Sequence, residues 1–305
     1  MTLSVHEPTN DENTETVVTA VSPPAVTRQT SLRRRLTGRW GLIPALAVST
    51  VAVLWAVVPS AFTHYDPIAV DNTIRLLPPS AQHWFGTDLL GRDLYTRIVY
   101  GARASLLGAS TAVGIAAVIG SALGATAGWF GGRVDGALMR LIDVVLSIPG
   151  FLFAITIVVL YTAQTGSTGL LPAAIAVGLT SSATFARLIR SEVLRVRESN
   201  YVEAAITSGA TTSAILARHV IPNSLAPTVA LIAVQLGIAI IWIASLSFLG
   251  LGAQPPQPEW GLLVADGRKY IATRGWLTLF PALTIVAVVL SINHISRYLT
   301  ERRGS

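Results

Sequence analysis

Six stretches of this chain are long, apolar and free of Asp, Glu, Lys and Arg: residues 41–62, 105–127, 144–163, 168–186, 225–249 and 276–295. Each is near the ~20 residues that an α-helix needs to cross the hydrocarbon of a bilayer. A helix pairs its own backbone N–H and C=O groups, so an apolar run in lipid becomes a helix rather than a loop. Only 12% of the 305 residues are charged and 51% are hydrophobic, more apolar surface than a soluble core can hide. The pattern predicts an all-α, polytopic membrane protein with six transmembrane helices.

The intervening segments set the organisation. Residues 1–38 read as a disordered cytoplasmic tail, rich in Thr, Pro, Val and acids. Arg33, Arg34, Arg35 and Arg39 precede the first run as they would in a signal peptide. That run is long enough to span a bilayer and no small-residue cleavage site follows it, so it reads as an uncleaved anchor. Residues 39–104 comprise this first helix and an extracytoplasmic loop, and 105–300 a transmembrane domain with a polar cytoplasmic loop over 192–223. The short link at 164–167 makes the third and fourth runs a hairpin. With both termini cytoplasmic, roughly two thirds of the 22 basic residues fall inside, the side that Arg and Lys favour. The net charge of +6 is carried by arginines dispersed between apolar runs, with Lys269 the only lysine. Their placement fits membrane topology rather than nucleic-acid binding.

Several functions are excluded or disfavoured. There is no cysteine, and the five histidines lack the close helical spacing of a metal site. An ion-coupled transporter usually keeps ionisable residues at membrane depth, and the six runs hold none except His294 at an end. Carbonyls and hydroxyls alone can bind sodium, so that class stays open. An intramembrane enzyme needs paired catalytic groups, and Ser245 and Ser247 have no His at a helical neighbour position. No Gly-Lys dipeptide exists, so a phosphate-binding loop of the form G-x-x-x-x-G-K-[ST] is impossible. The expectation is a non-enzymatic subunit that binds no cofactor of its own. Within the second run Gly108, Ala112, Ala116, Gly120, Gly124 and Gly128 form one stripe of small residues. It suits either tight packing within the chain or a seam against a partner.

The polar loop is the most specific segment. Asn200-Tyr201-Val202-Glu203 has the form of a capping box, and Gly209 stands where a short helix turns left-handed. Thr211 or Thr212 then caps a second helix, which Pro222 ends. On these grounds alone Glu203 only caps and Gly209 only turns. However, Glu203-Ala204-Ala205, then Gly209-Ala210, then His219-Val220-Ile221-Pro222-Asn223 resembles the EAA loop of binding-protein-dependent ABC permeases. The resemblance implies an ABC importer type I permease fold and a coupling helix that docks in a groove of an ATPase subunit. Small Ala204 and Ala205 would let it enter, and Glu203 would meet a basic group there.

Two outer segments narrow the resemblance. The first is His83-Trp84-Phe85-Gly86-Thr87-Asp88-Leu89-Leu90-Gly91-Arg92-Asp93, running on to Arg97, Gly101, Arg103 and Ser105. The second is Ser245-Leu246-Ser247-Phe248-Leu249-Gly250-Leu251-Gly252, followed by Pro255, Pro256, Pro258, Glu259, Trp260 and Gly261. Both are similar to segments of the dipeptide/oligopeptide/nickel importer permeases, on the side of the shorter, six-span partner. That family implies peptide cargo, with nickel or another small solute as the alternative. It also implies a sister permease, two ATPase subunits holding ATP and magnesium, an extracytoplasmic binding protein and a bacterial plasma membrane. Gly86, Asp88, Gly91, Arg92, Asp93, Phe248, Pro256 and Trp260 become candidates for the outer loop and gate. The plainer alternatives are a turn at Gly86, Asp88 and Gly91, a weak surface pair at Arg92 and Asp93, and interfacial anchors at Trp84 and Trp260.

Overall fold

The apolar runs do become helices, but their ends and bends are set by prolines and polar caps. A computed structural model describes residues 29–215, 218 and 221–301. The chain divides into Met1–Thr37 and Gly38–Ser305. Of the first unit only residues 29–37 are described, as helix, so the part of the expected tail beyond Arg28 is helical and the rest lies outside the described residues.

The helices are α1 (Gln29–Val57), α2 (Leu94–Phe130), α3 (Gly132–Ser147), α4 (Gly150–Thr165), α5 (Leu170–Arg197), α6 (Asn200–Thr207), α7 (Thr212–Ile215), α8 (Ile221–Phe248), α9 (Trp260–Gly267) and α10 (Trp276–Glu301). No β-strand of more than a single bridge is present among the described residues. Among the described residues, four segments are long and apolar enough to cross a membrane: Leu94–Phe130, Leu170–Arg197, Pro227–Phe248 and Trp276–Tyr298. α2 starts at Leu94 rather than at Ser105, because the Asp93 side chain accepts a hydrogen bond from the Thr96 amide and caps the helix ahead of its apolar part.

The third expected span, 144–163, is not one helix. α3 and α4 meet at a bend of 93°. Pro149 lacks the N–H that would continue α3, and it holds Ile148 in an extended conformation (φ −87°, ψ 133°). α3 also carries Arg133, Asp135, Arg140 and Asp143, which suits a polar boundary rather than hydrocarbon. The first expected span is shorter than its apolar run, since Gly41–Val57 is about 25 Å long at 1.5 Å per residue. The expected six therefore stand as four full-length helices, one bent pair and one helix, α1, whose apolar part is short.

α2 and α5 form the most extensive pairing, and the small-residue stripe is its cause. A Cβ on Gly120 would lie 2.4 Å from the Ser182 carbonyl oxygen, and one on Gly124 2.4 Å from that of Ala186. The stripe therefore packs against α5 of the same chain, where backbones approach without intervening side chains. α8, α9 and α10 pack on this pair around Ile98, Phe185, Ile240, Ile243, Leu246 and Trp260, all at most 1% exposed. The outer faces of the helices leave Leu107, Val118, Leu160, Leu171 and Leu290 more than half exposed, as a lipid-facing surface requires.

Candidate functional site

α5 continues past its apolar part to Arg197 and hands over directly to α6. The Ser199 carbonyl accepts hydrogen bonds from the amides of Val202 (3.0 Å) and Glu203 (3.2 Å), so Ser199 caps α6 and Asn200 is already helical. The Glu203 carboxylate makes no hydrogen bond or ion pair among the described residues, so the expected capping box is not formed. Val202 is wholly buried, and Ile215 of α7 is 2% exposed. Together they pack on Ile189, Val193 and Val196 of α5, with Ala125 and Trp129 of α2 alongside.

This apolar clamp fixes which way α6 faces. Glu203 and Ala204 are exposed, as are Gly209 and Ala210 beyond the helix. Gly209 has the left-handed backbone its place predicts (φ +81°). The Thr211 hydroxyl accepts from the Ala214 amide at 3.3 Å, which chooses Thr211 as the cap of α7. The Ala205 side chain lies outside what is described, as do residues 219 and 220. Pro222 does not end a helix. It lies in the first turn of α8, where a missing N–H costs nothing because that turn has no acceptor for it.

Ion pairs brace the same end. Arg190 of α5 grips Asp135 of α3 through Nε (2.5 Å) and Nη2 (2.6 Å), a bidentate contact across the α3–α5 gap. Arg187 reaches Asp143 at 2.7 Å, though both are exposed and this pair contributes little.

α2 is about 55 Å long at 1.5 Å per residue, and the second cluster lies at its other end. The turn over 88–91 closes when the Gly91 amide donates to the Asp88 carbonyl (3.1 Å). The Asp88 carboxylate gathers the amides of Leu90 and Arg92 and the Arg92 Nε (2.7 Å). Gly91 has φ +75°, and a Cβ there would overlap the Asp71 carbonyl oxygen at 1.7 Å. Gly86 is similarly constrained, with φ +77° and the Leu77 carbonyl 2.5 Å from a Cβ. Arg92 and Asp93 are not a surface pair. Both are buried, Arg92 pairs with Asp88, and Asp93 shares a hydrogen bond of 2.9 Å with His83.

Two residues that the sequence left as ordinary members of a motif organise this end. Arg97, fully buried, donates to the Pro67 carbonyl (3.0 Å) and lies 3.5 Å from Asp88 and 4.0 Å from Asp266. Burial raises the Asp266 pKa, against the opposing pull of Arg97 and Arg92. Glu259, also fully buried, caps α9 by accepting from the Leu262 amide (3.0 Å) and accepts from the Ser105 hydroxyl (2.7 Å). Trp260 is buried rather than interfacial, and its Nε1 donates to the Ile98 carbonyl at 2.9 Å. Trp84, at 60% exposure, is accessible as an interfacial ring would be. Phe248 is half-buried beneath the Arg268 guanidinium, 5.4 Å from ring centre, and Pro256 is exposed. The one sequence clue to this network was polar residues clustered where a loop meets apolar runs.

Comparison with known proteins agrees with this architecture. Residues 120–304 match the family described as "Binding-protein-dependent transport system inner membrane component". The chain is 40% identical over 259 residues to the dipeptide transport system permease protein DppC of Alkalihalophilus pseudofirmus, covering 85% of this chain and 84% of that one. It is 41% identical over 235 residues to the probable D,D-dipeptide transport system permease protein DdpC of Escherichia coli, 77% of each. It is 40% identical over 215 residues to the glutathione transport system permease protein GsiD of Pectobacterium atrosepticum, 70% of each. In fold it resembles an inward-facing conformation of the MetNI methionine ABC transporter, with TM-score 0.54 and 19% identity over 67% of this chain and 95% of that one.

Proposed function

This chain belongs to the family of binding-protein-dependent transport system inner membrane components, and on that premise we propose that it is the permease half-pore of an ATP-driven peptide importer. Permeases of this family are multi-pass membrane proteins that work with ATPase and substrate-binding partners. The finer reading adds a sister permease to complete the pore, two ATPase subunits holding ATP and magnesium, and an extracytoplasmic binding protein. Peptide is preferred as cargo because the relatives named for dipeptides cover most of this chain.

The observation that carries the coupling role is the clamp beneath α6. Val202 and Ile215 bury one face of the α6–α7 unit against α5 and α2, while Glu203, Ala204, Gly209 and Ala210 stay open to a partner. A docking helix has to be exposed on one side and rigidly attached on the other, and α6 meets both conditions. Movement of the partner's groove then displaces α6, and α5 and α2 carry that displacement along their closely packed interface. The pore alternates between two packings, with the chemistry of ATP confined to the partner.

Uptake of a labelled dipeptide tests this with the membrane potential collapsed and cellular ATP kept high. Uptake is expected to persist, and its loss would refute an ATP-driven importer. Glu203→Lys or Val202→Asp is expected to leave the protein inserted while lowering uptake roughly tenfold, within the usual 1–3 kcal/mol range of a coupling free energy. Unchanged uptake in both variants would remove α6 from the coupling route without touching the importer assignment.

A further inference from the structure

The loop between α1 and α2 gathers aromatic rings that the turn at Asp88 does not use. Tyr95 stands at their centre. Trp84 lies 5.0 Å from it, Phe85 5.4 Å and Trp55 of α1 6.1 Å, ring centre to ring centre. Phe62 meets Trp55 edge-on at 6.5 Å. Phe62, Tyr65, Trp84 and Tyr95 enclose a pocket of about 230 Å³ with Asp93 in its wall. Two hydrogen bonds brace this frame. The Tyr65 hydroxyl donates to the Gln82 carbonyl (3.2 Å), and the Thr63 and Thr96 hydroxyls share a bond of 2.5 Å.

The polar member of this wall is a buried carboxylate. The Asp93 side chain is 4% exposed, and its two oxygens meet His83 Nδ1 (2.9 Å) and the Thr96 amide (2.8 Å). A carboxylate accepts at about four positions, so about two remain for another donor. The neighbouring guanidiniums are engaged elsewhere, Arg92 on Asp88 and Arg97 on the Pro67 carbonyl. Among the described lining residues the one base is His64, exposed at the rim. Aromatic rings and a carboxylate together attract a positive group, whereas Asp93 repels an anion. A metal ion is disfavoured, because no group of three ligating side chains exists among the described residues.

We propose that this pocket binds a primary alkylammonium group, its N–H groups received by Asp93 and its carbon stem enclosed by the rings. Position in the fold narrows the carrier. The apolar part of α1 ends at Val57, just before Phe62, so the pocket lies where hydrocarbon gives way to headgroups. Leu54 and Val57, on the last turn of α1, are 43% and 70% exposed. An ethanolamine phospholipid matches both parts, with its ammonium in the pocket and its acyl chains along α1. A soluble amine matches the pocket alone.

Lipid retention on the full-length chain, purified in detergent and read by native mass spectrometry, tests the assignment. Asp93→Asn removes the charge but keeps a side chain able to cap α2. It should lower retention of palmitoyl-oleoyl phosphatidylethanolamine about tenfold, the worth of a hydrogen bond to a charged group. Retention of phosphatidylglycerol with the same chains, which has no ammonium, should not change. Trp84→Ala, at an exposed position, should lower ethanolamine-lipid retention about fivefold. Tyr65→Phe keeps the ring and should preserve most of it. Ethanolamine and ethylene glycol, titrated into lipid-free protein and read by thermal unfolding, separate the carriers. Stabilisation by ethanolamine alone, with no lipid retained, supports the ammonium site and assigns it to a soluble amine. Undiminished ethanolamine-lipid retention by both Asp93→Asn and Trp84→Ala, in protein of unaltered elution volume, would overturn the proposal. A loss shared equally with phosphatidylglycerol would overturn it too, as would neither lipid retention nor stabilisation by ethanolamine.

Discussion

Glu259 shows how much at the residue scale depends on partners that are distant in sequence. It has no exposed surface, and it links α9 to Ser105 of α2, which in turn accepts from the Trp260 amide at 3.1 Å. Glu259→Ala would leave the Ser105 hydroxyl and the Leu262 amide buried without this acceptor, at about 1–3 kcal/mol for each group left unpaired. A lower midpoint of thermal unfolding in detergent is expected for this variant, with Ser105→Ala, which keeps the cap on Leu262, less affected. An equal midpoint for Glu259→Ala and the parent would show that water replaces the lost acceptor. The motif around Trp260 was legible in the sequence, but its burial was not. A tryptophan beside prolines reads as an interfacial ring until Ile98 and Ser105 are known to lie against it. The turn at Asp88 was half legible: Asp followed three residues later by Gly is a type I turn pattern, whereas the Arg97 contacts join three separate segments.

Among the elements, spacing predicted contact well and prolines were read less well. The repeat of small residues every fourth position marked one face of α2, but a repeat in one helix does not name its partner. α5 supplies that partner, through Ser182, Ala186 and Arg190. Pro149 and Pro222 are both helix-breaking residues in sequence, yet one bends a span and the other starts one. The difference lies in what precedes them: α3 would need an N–H at position 149, while α8 begins just before 222. Gly124→Val should force α2 and α5 apart, because its Cβ would stand 2.4 Å from a backbone oxygen that cannot yield. Overpacking of this kind costs about 1–3 kcal/mol or more, visible as reduced accumulation in the membrane and a lower unfolding midpoint. Gly114→Ala is the matching control, since nothing lies within 4 Å of its added Cβ and alanine favours the helix. If both variants behave alike, the seam is looser than its geometry.

For the molecule as a whole, the arrangement separates two tasks by the length of α2. Rigid, hydrogen-bonded loops crowd one end, and an exposed helix on an apolar clamp occupies the other. Such a separation is useful to an importer only if the two ends face opposite sides of the membrane, and the proposed function requires the α6 end to be the cytoplasmic one, the side that arginine favours. The native chain has no cysteine, so single substitutions report orientation without background. Trp84, 60% exposed at the loop end, and Ala204, exposed on α6, are the sites to use. Trp84→Cys is expected to react with a membrane-impermeant maleimide in intact cells, and Ala204→Cys only after permeabilisation. The opposite pattern would invert the topology and take α6 out of reach of any cytoplasmic ATPase. With the expected pattern, a second comparison separates docking from mere location: Ala204→Cys should label more slowly when the ATPase subunits are present than when they are deleted. Trp84→Cys should be indifferent to that deletion, because a partner on α6 cannot cover a site at the far end of α2.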